Sequence, residues 1–250
     1  MEQFPLREMI PLMIDDFKPS ILPISNKNLT TNEQILDSLS IDLYSKGAAL
    51  LRLLEYIVGI DEFQSAVRNI LPIDDLPTVL TVFYSSFNPL LDTSITIEEF
   101  LRPWLEERNY PIVTIDFLPK NETNQNATII FRQNRYTGSF ASSQSSIWNI
   151  YMECDLGGID ESGAMNLTAN YNASRIKFLL QSSVYTVELS DEEEYLWIKC
   201  NKDFYSYHLN EYIFDGENRY SLWSSFQSLF REVSEVEVSW GLKFIGFIRE

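Results

Sequence analysis

The run Trp104-Leu-Glu-Glu-Arg-Asn-Tyr-Pro-Ile-Val-Thr-Ile-Asp-Phe117 decides the fold, because the hydrophobic period changes inside it. Up to Tyr110 the apolar residues recur at helical spacing. After Pro111 they alternate with a period of two, the signature of a half-buried strand. Moving back towards the N-terminus, Thr96-Ile-Glu-Glu99 is a capping box that opens a helix through about Arg108. Pro103 falls inside it, as a point of bending or of helix start. Asp61 is placed to cap an earlier helix, in which Phe63, Ala66, Val67, Ile70 and Leu71 share one face. Leu50, Leu53, Leu54, Ile57 and Val58 form the stripe of another, and Gly59 stands where a helix end favours a left-handed residue. Thr30-Thr-Asn-Glu33 is a further capping box.

Moving forward, strands are expected at residues 112–117, 127–132, 147–152, 183–188, 195–200 and 205–209. Short strands at intervals of about ten to fifteen residues, joined by polar connectors, predict an antiparallel sandwich. From Arg219 a helical signal returns with Leu222, Trp223, Phe226, Leu229 and Phe230. Residues 233–240 alternate like a strand, with no obvious partner nearby. The fold class is therefore α+β, in three parts: a helical region over 1–108, a β-sandwich over 109–213, and a short helical stub with an irregular tail over 214–250.

The chain has 250 residues, 45% of them hydrophobic, and a net charge of −17 from 19 basic and 36 acidic side chains. The acidity is spread about evenly on both sides of residue 110. Such a surface repels phosphate backbones and anionic lipid heads, which argues against nucleic acid and membrane surfaces as partners. No stretch approaches the roughly 18 apolar residues that span a bilayer.

His208 is the single histidine, expected on a strand surface, and Cys154 and Cys200 are the two cysteines. The cysteines can form one bridge or stay as two buried thiols, and the thiols are the preferred expectation. A hydrolytic zinc ion takes about three converging protein ligands, commonly two or more of them histidine. This composition offers no such set, and most histidine-based acid–base chemistry is excluded with it. The chain alone reads as unequipped for catalysis, with no metal and no cofactor of its own. A serine triad through His208 has no nucleophile motif to support it.

Met1-Glu-Gln-Phe-Pro-Leu-Arg-Glu does not read as a signal peptide. Five N-x-[ST] sequons, at Asn28, Asn121, Asn126, Asn166 and Asn172, lean instead towards a secretory-pathway ancestry. Together these predict a piece of a longer protein whose front is missing.

The segment Ile41-Asp-Leu-Tyr-Ser-Lys-Gly-Ala-Ala-Leu-Leu-Arg-Leu-Leu-Glu-Tyr-Ile-Val-Gly-Ile-Asp-Glu-Phe63 resembles the zinc aminopeptidases of the aminopeptidase N type. Their pattern S-Y-x-K-G-A-x-x-[IVL]-R-M-L leads into a helix, followed by G-x-x-x-F. The run from Trp104 is similar to the family's W-x-x-Q-x-G-[YF]-P-[VL]-[VL]-x-V. Gln133-Asn-Arg-Tyr136 resembles Q-x-R-F, and Trp148-Asn-Ile-Tyr151 resembles W-x-[IV]-P. Trp197-Ile-Lys-Cys-Asn201 with Tyr207-His-Leu-Asn210 resembles the family's W-x-K-x-N … Y-[RK]-V-N. The matches are collinear over roughly residues 20–230.

This resemblance implies the C-terminal end of a thermolysin-like catalytic domain, a β-sandwich and the start of a C-terminal helical domain. It implies zinc-dependent release of N-terminal residues from peptides by the whole family protein, and an extracellular or membrane-anchored setting. A chain complete as given would instead be cytoplasmic. The family tyrosine falls on Tyr44, where its phenol would donate a hydrogen bond to the oxyanion of the tetrahedral intermediate. The zinc-binding H-E-x-x-H helix should lie before Tyr44, and no histidine stands there. Even the family's H-P-[ILV] is Leu22-Pro23-Ile24 here. Gly163-Ala-Met-Asn166 looks like the family's G-A-M-E-N, but it lies on the wrong side of Tyr44 and lacks the glutamate. Asp191-Glu-Glu-Glu194 reads as a solvated turn. The leading expectation is thus a truncated or fragmentary aminopeptidase, inactive alone. The alternatives are a non-enzymatic binding or assembly module built on the sandwich, or a fragment supplied to an incomplete partner.

Overall fold

A computed structural model of the chain describes residues 13, 16, 22–26, 28–39, 41–87, 95–118, 126–136, 146–157, 174–189, 197–201 and 205–213. Five helices come first: α1 (Asn32–Ser38), α2 (Ile41–Val58), α3 (Ile60–Ile70), α4 (Leu76–Ser85) and α5 (Ile97–Glu106). Seven strands follow: β1 (Pro111–Leu118), β2 (Thr128–Arg135), β3 (Ile150–Gly157), β4 (Ser174–Leu180), β5 (Val184–Glu188), β6 (Trp197–Cys200) and β7 (Leu209–Ile213). The molecule is α+β, and it passes from helix to strand between Glu106 and Pro111, where the hydrophobic period changes. The helical signal from Arg219, the tail, Gly163–Asn166 and Asp191–Glu194 lie outside the described residues.

Local chemistry sets the helix ends. At α5 the Thr96 and Glu99 box forms as expected: the Thr96 N–H donates to Glu99 Oε2 at 2.9 Å, and the Glu99 N–H donates to Thr96 Oγ1 at 3.2 Å. The first box is displaced by one residue, with Thr31 as the cap and Gln34 as its reciprocal partner. The Gln34 amide oxygen accepts from the N–H groups of both Thr30 and Thr31, which Glu33 does not. Gly59 takes the expected positive φ, 89°, and itself caps α3, leaving Asp61 in the first turn. There its charge faces the positive end of the helix dipole. Helix α4 is absent from the sequence expectations, although Asp75 accepts from the Thr78 N–H at 2.9 Å and Pro77 lies in the first turn.

The strands form two sheets, ordered β5-β2-β1-β7 and β4-β3-β6. Every pairing is antiparallel except β1 with β7, which is parallel and makes the larger sheet mixed. The inward residues Val113, Ile115, Phe117, Ile129 and Phe131 of one sheet share a single core with Ile150, Met152, Cys154 and Leu156 of the other. Phe131 and Phe178 meet edge to face across the two sheets, 4.9 Å between centroids. Tyr151, on the opposite face of β3, joins a second core with Leu53, Leu54, Phe83 and Phe100 of the helices.

Three strand expectations change. Strand β3 starts at Ile150, because Trp148 and Asn149 make hydrogen bonds outside the ladder. Strand β4 is missing from the expectations. Residues 205–208 are a buried bend, not a strand. Asn201, at φ 53°, ties that bend down: its amide Nδ2 donates to the carbonyls of Ser206 and His208, and its Oδ1 accepts from the Ser206 N–H.

The preferred expectation of two thiols is overturned. Antiparallel register sets Cys154 directly opposite Cys200 on β3 and β6, with Cα atoms 4.0 Å apart, and the two form a disulfide. His208 is likewise not on a strand surface. It is 1% exposed, with Nδ1 2.8 Å from Ser206 Oγ.

Candidate functional site

Helix α2 sorts its two motif residues onto opposite faces. Lys46 begins the buried stripe that continues through Leu50, Leu53 and Leu54. Tyr44 precedes it by two residues, a rotation of about 200°, and is 64% exposed. Ala48 and Leu51 lie on the same outward face at i+4 and i+7, also exposed. A Cβ added at Gly47 would meet nothing within 4 Å. The phenol of Tyr44 therefore stands on an open, apolar stretch of helix surface.

Inside, the Lys46 ammonium donates to Asp16 Oδ2 at 3.0 Å and to the Asn109 carbonyl at 2.7 Å. The Tyr207 hydroxyl donates to the same Asp16 oxygen at 3.0 Å. Asn109 Nδ2 donates to the Asp16 carbonyl at 2.7 Å, and the Tyr110 hydroxyl to the Met13 carbonyl at 2.9 Å. Asp16 Oδ1 is buried with no partner among the described residues. Burial outweighs the attraction of Asp16 and lowers the Lys46 pKa. Asn109 occupies the position that the aminopeptidase pattern fills with glycine, and its φ of 62° gives the reason. The chain needs a left-handed residue there, and asparagine is the side chain that tolerates one.

A second set of contacts fixes α5 to the sheets. Pro103 has no N–H, so the Glu99 carbonyl loses its helical donor. Asn149 Nδ2 donates to that carbonyl at 2.7 Å, and the Asn149 carbonyl accepts from Trp104 Nε1 at 2.8 Å. Gln133 Nε2 donates to the carbonyls of Trp148 and Ser182, both at 3.0 Å, while its Oε1 accepts from the Trp148 N–H at 2.9 Å. Arg135 pairs with Glu107 and Ser146 and lies over the Trp148 ring. Tyr136 stacks on Tyr110 at 5.2 Å. Lys46, Trp104, Tyr110, Gln133 and Trp148, all from the resemblance motifs, thus lie at the joint between helices and sheets, and Tyr44 faces away from it.

Among the described residues no three His, Cys, Asp or Glu side chains group as metal ligands. The donors among the described residues do not fit zinc, the metal implied by the resemblance: both sulfurs are spent in the disulfide, and His208 is buried with Nδ1 against Ser206 Oγ. No described helix is long and apolar enough to cross a membrane. Of the sequons, Asn28 is exposed in a turn before α1 and Asn126 is half-buried before β2. Asn121, Asn166 and Asn172 lie outside the described residues.

No protein-family model matches the chain. It is similar to glutamyl aminopeptidase of Bos taurus, 28% identical over 153 residues, a match covering 60% of this chain. That match spans 15% of the length of the bovine protein.

Proposed function

We propose that this chain carries the oxyanion-tyrosine side of an aminopeptidase N-type zinc peptidase and does not hydrolyse peptides by itself. In this reading residues 1–108 are the helical end of a thermolysin-like domain, 109–213 a β-sandwich and 214–250 the start of a further helical domain. The observation that carries it is the outward Tyr44 on α2, with exposed Ala48 and Leu51 on the same face of the helix. An exposed phenol with apolar neighbours on its helix face is suited to meet a partner surface or substrate. The partial likeness to glutamyl aminopeptidase supports the same family.

Peptide hydrolysis builds negative charge on the carbonyl oxygen, and a fixed phenol donor stabilises that charge. Tyr44 is assigned this role, with peptides as the substrate class of the whole protein. The test is aminoacyl-amide turnover by the purified chain. The expected rate equals the blank and does not respond to added zinc, to a chelator or to Tyr44→Phe. Chelator-sensitive turnover that falls with Tyr44→Phe would overturn the proposal.

A further inference from the structure

The sequon Asn28-Leu-Thr30 differs in its setting from that of Asn126, the other sequon asparagine among the described residues, and we infer that Asn28 is a site of N-linked glycosylation. Asn28 is exposed, and the turn that presents it is anchored on its N-terminal side. Ile24 packs on the main core, and the Ser25 N–H donates to the Leu105 carbonyl at 2.8 Å. The Asn28 N–H donates to Asn26 Oδ1 at 3.1 Å, which holds the backbone of the turn, and the residue itself is exposed. Thr30 is exposed in its turn. A bulky polar glycan is accommodated on such a surface turn at no cost to packing.

Asn126 is the contrasting case. It is half-buried, and the next residue, Ala127, is buried and accepts a hydrogen bond from the Leu189 N–H. A glycan there has to displace the strand beside it. The Cys154–Cys200 disulfide is an independent sign of the same compartment, since chains that keep structural disulfides fold where the environment is oxidising.

The co-reactant is an oligosaccharide carried on a lipid pyrophosphate. Asn28 Nδ2 attacks its first sugar carbon and an N-glycosidic bond forms. The carbon–oxygen bond to pyrophosphate breaks, the lipid pyrophosphate departs with the electron pair, and the amide proton passes to a base.

The experiment expresses the full chain behind a cleavable secretory leader in mammalian cells, with Asn121, Asn166 and Asn172 changed to Gln. Intact mass and peptide mapping, before and after enzymatic glycan removal, read the occupancy of Asn28 and Asn126. One glycan on Asn28 is expected, lost equally in Asn28→Gln and in Thr30→Ala. A parallel cell-free translation with microsomes reads the same change as one mobility step, and needs no secretion. An unmodified Asn28 in both systems, or a glycan on Asn126 in its place, overturns the inference.

Discussion

Lys46 and Asp16, 30 residues apart in sequence, meet at 3.0 Å with side chains 3% and 1% exposed. The pair links an N-terminal residue to α2, while Asn109 and Tyr207 bring the helix–sheet joint and the bend before β7 to the same point. Removing one partner of a buried pair leaves an uncompensated charge, which costs about 3–5 kcal/mol. Lys46→Met should lose about that much in urea unfolding. Adding Asp16→Asn should return part of the loss, because a neutral amide no longer strands a charge. Equal stability for the single and double variants would show that the charges are not coupled.

The Pro103 and Asn149 pair predicts a second coupling. Asn149→Ala strips the Glu99 carbonyl of its donor and should cost about 0.5–1.5 kcal/mol. In a Pro103→Ala background the helix supplies its own N–H to that carbonyl, so Asn149→Ala should cost measurably less. A double-mutant cycle on unfolding midpoints checks the difference. Additive effects would mean that the Asn149 side chain does not act through the Glu99 carbonyl, since the backbone carbonyl that accepts from Trp104 is kept in Asn149→Ala.

How far the sequence could be read follows from where each residue's partners lie. Helices α2, α3 and α5 and strands β1, β2 and β5 were legible, because their stripes and caps are local properties of a few neighbouring residues. Helix α4 is not legible from periodicity, since Leu-Pro-Thr-Val-Leu-Thr-Val-Phe-Tyr is rich in branched and apolar residues and shows no clear period, and only Asp75 and Pro77 mark its start. The parallel partner of β1 and the Cys154–Cys200 bond depend on which strands meet, which no local pattern encodes. His208 reads as a surface residue because the family pattern Y-[RK]-V-N has Arg or Lys at its position, yet the Asn201 side chain replaces the ladder and turns residues 205–208 inward. At the candidate site the outward position of Tyr44 follows from the buried stripe of Leu50, Leu53 and Leu54 on the same helix. The roles of Lys46, Asp16 and Asn109 depend on contacts between chain segments up to 191 residues apart.

The disulfide joins residues separated by 46 positions, and closing a loop of that size in the unfolded chain is worth about 4 kcal/mol in the chain-entropy picture. Cys154→Ala with Cys200→Ala should lower stability by a few kcal/mol. Thiol labelling of the unfolded, unreduced parent chain should find no free sulfhydryl. Two labelled thiols per chain would contradict the bridge.

The last prediction concerns pH. His208 is fully buried, and burial pushes its pKa down to about 3 against a weaker opposing pull from the Asn210 side chain. In the unfolded chain the same imidazole titrates near 6.5. Between those values the unfolded state binds a proton that the folded state refuses, so stability rises with pH. The sign is therefore fixed: the contribution is fully present above about pH 6.5 and is lost as pH falls towards 3. Its steepest slope is about 1.4 kcal/mol per pH unit. His208→Gln, neutral throughout, removes the imidazole's share while leaving that of the carboxylates. Urea unfolding at pH 7 and pH 4.5 separates the two, since the parent chain should lose more stability than the variant over that interval. An identical loss in both proteins would place His208 in contact with water and take it out of the buried bend.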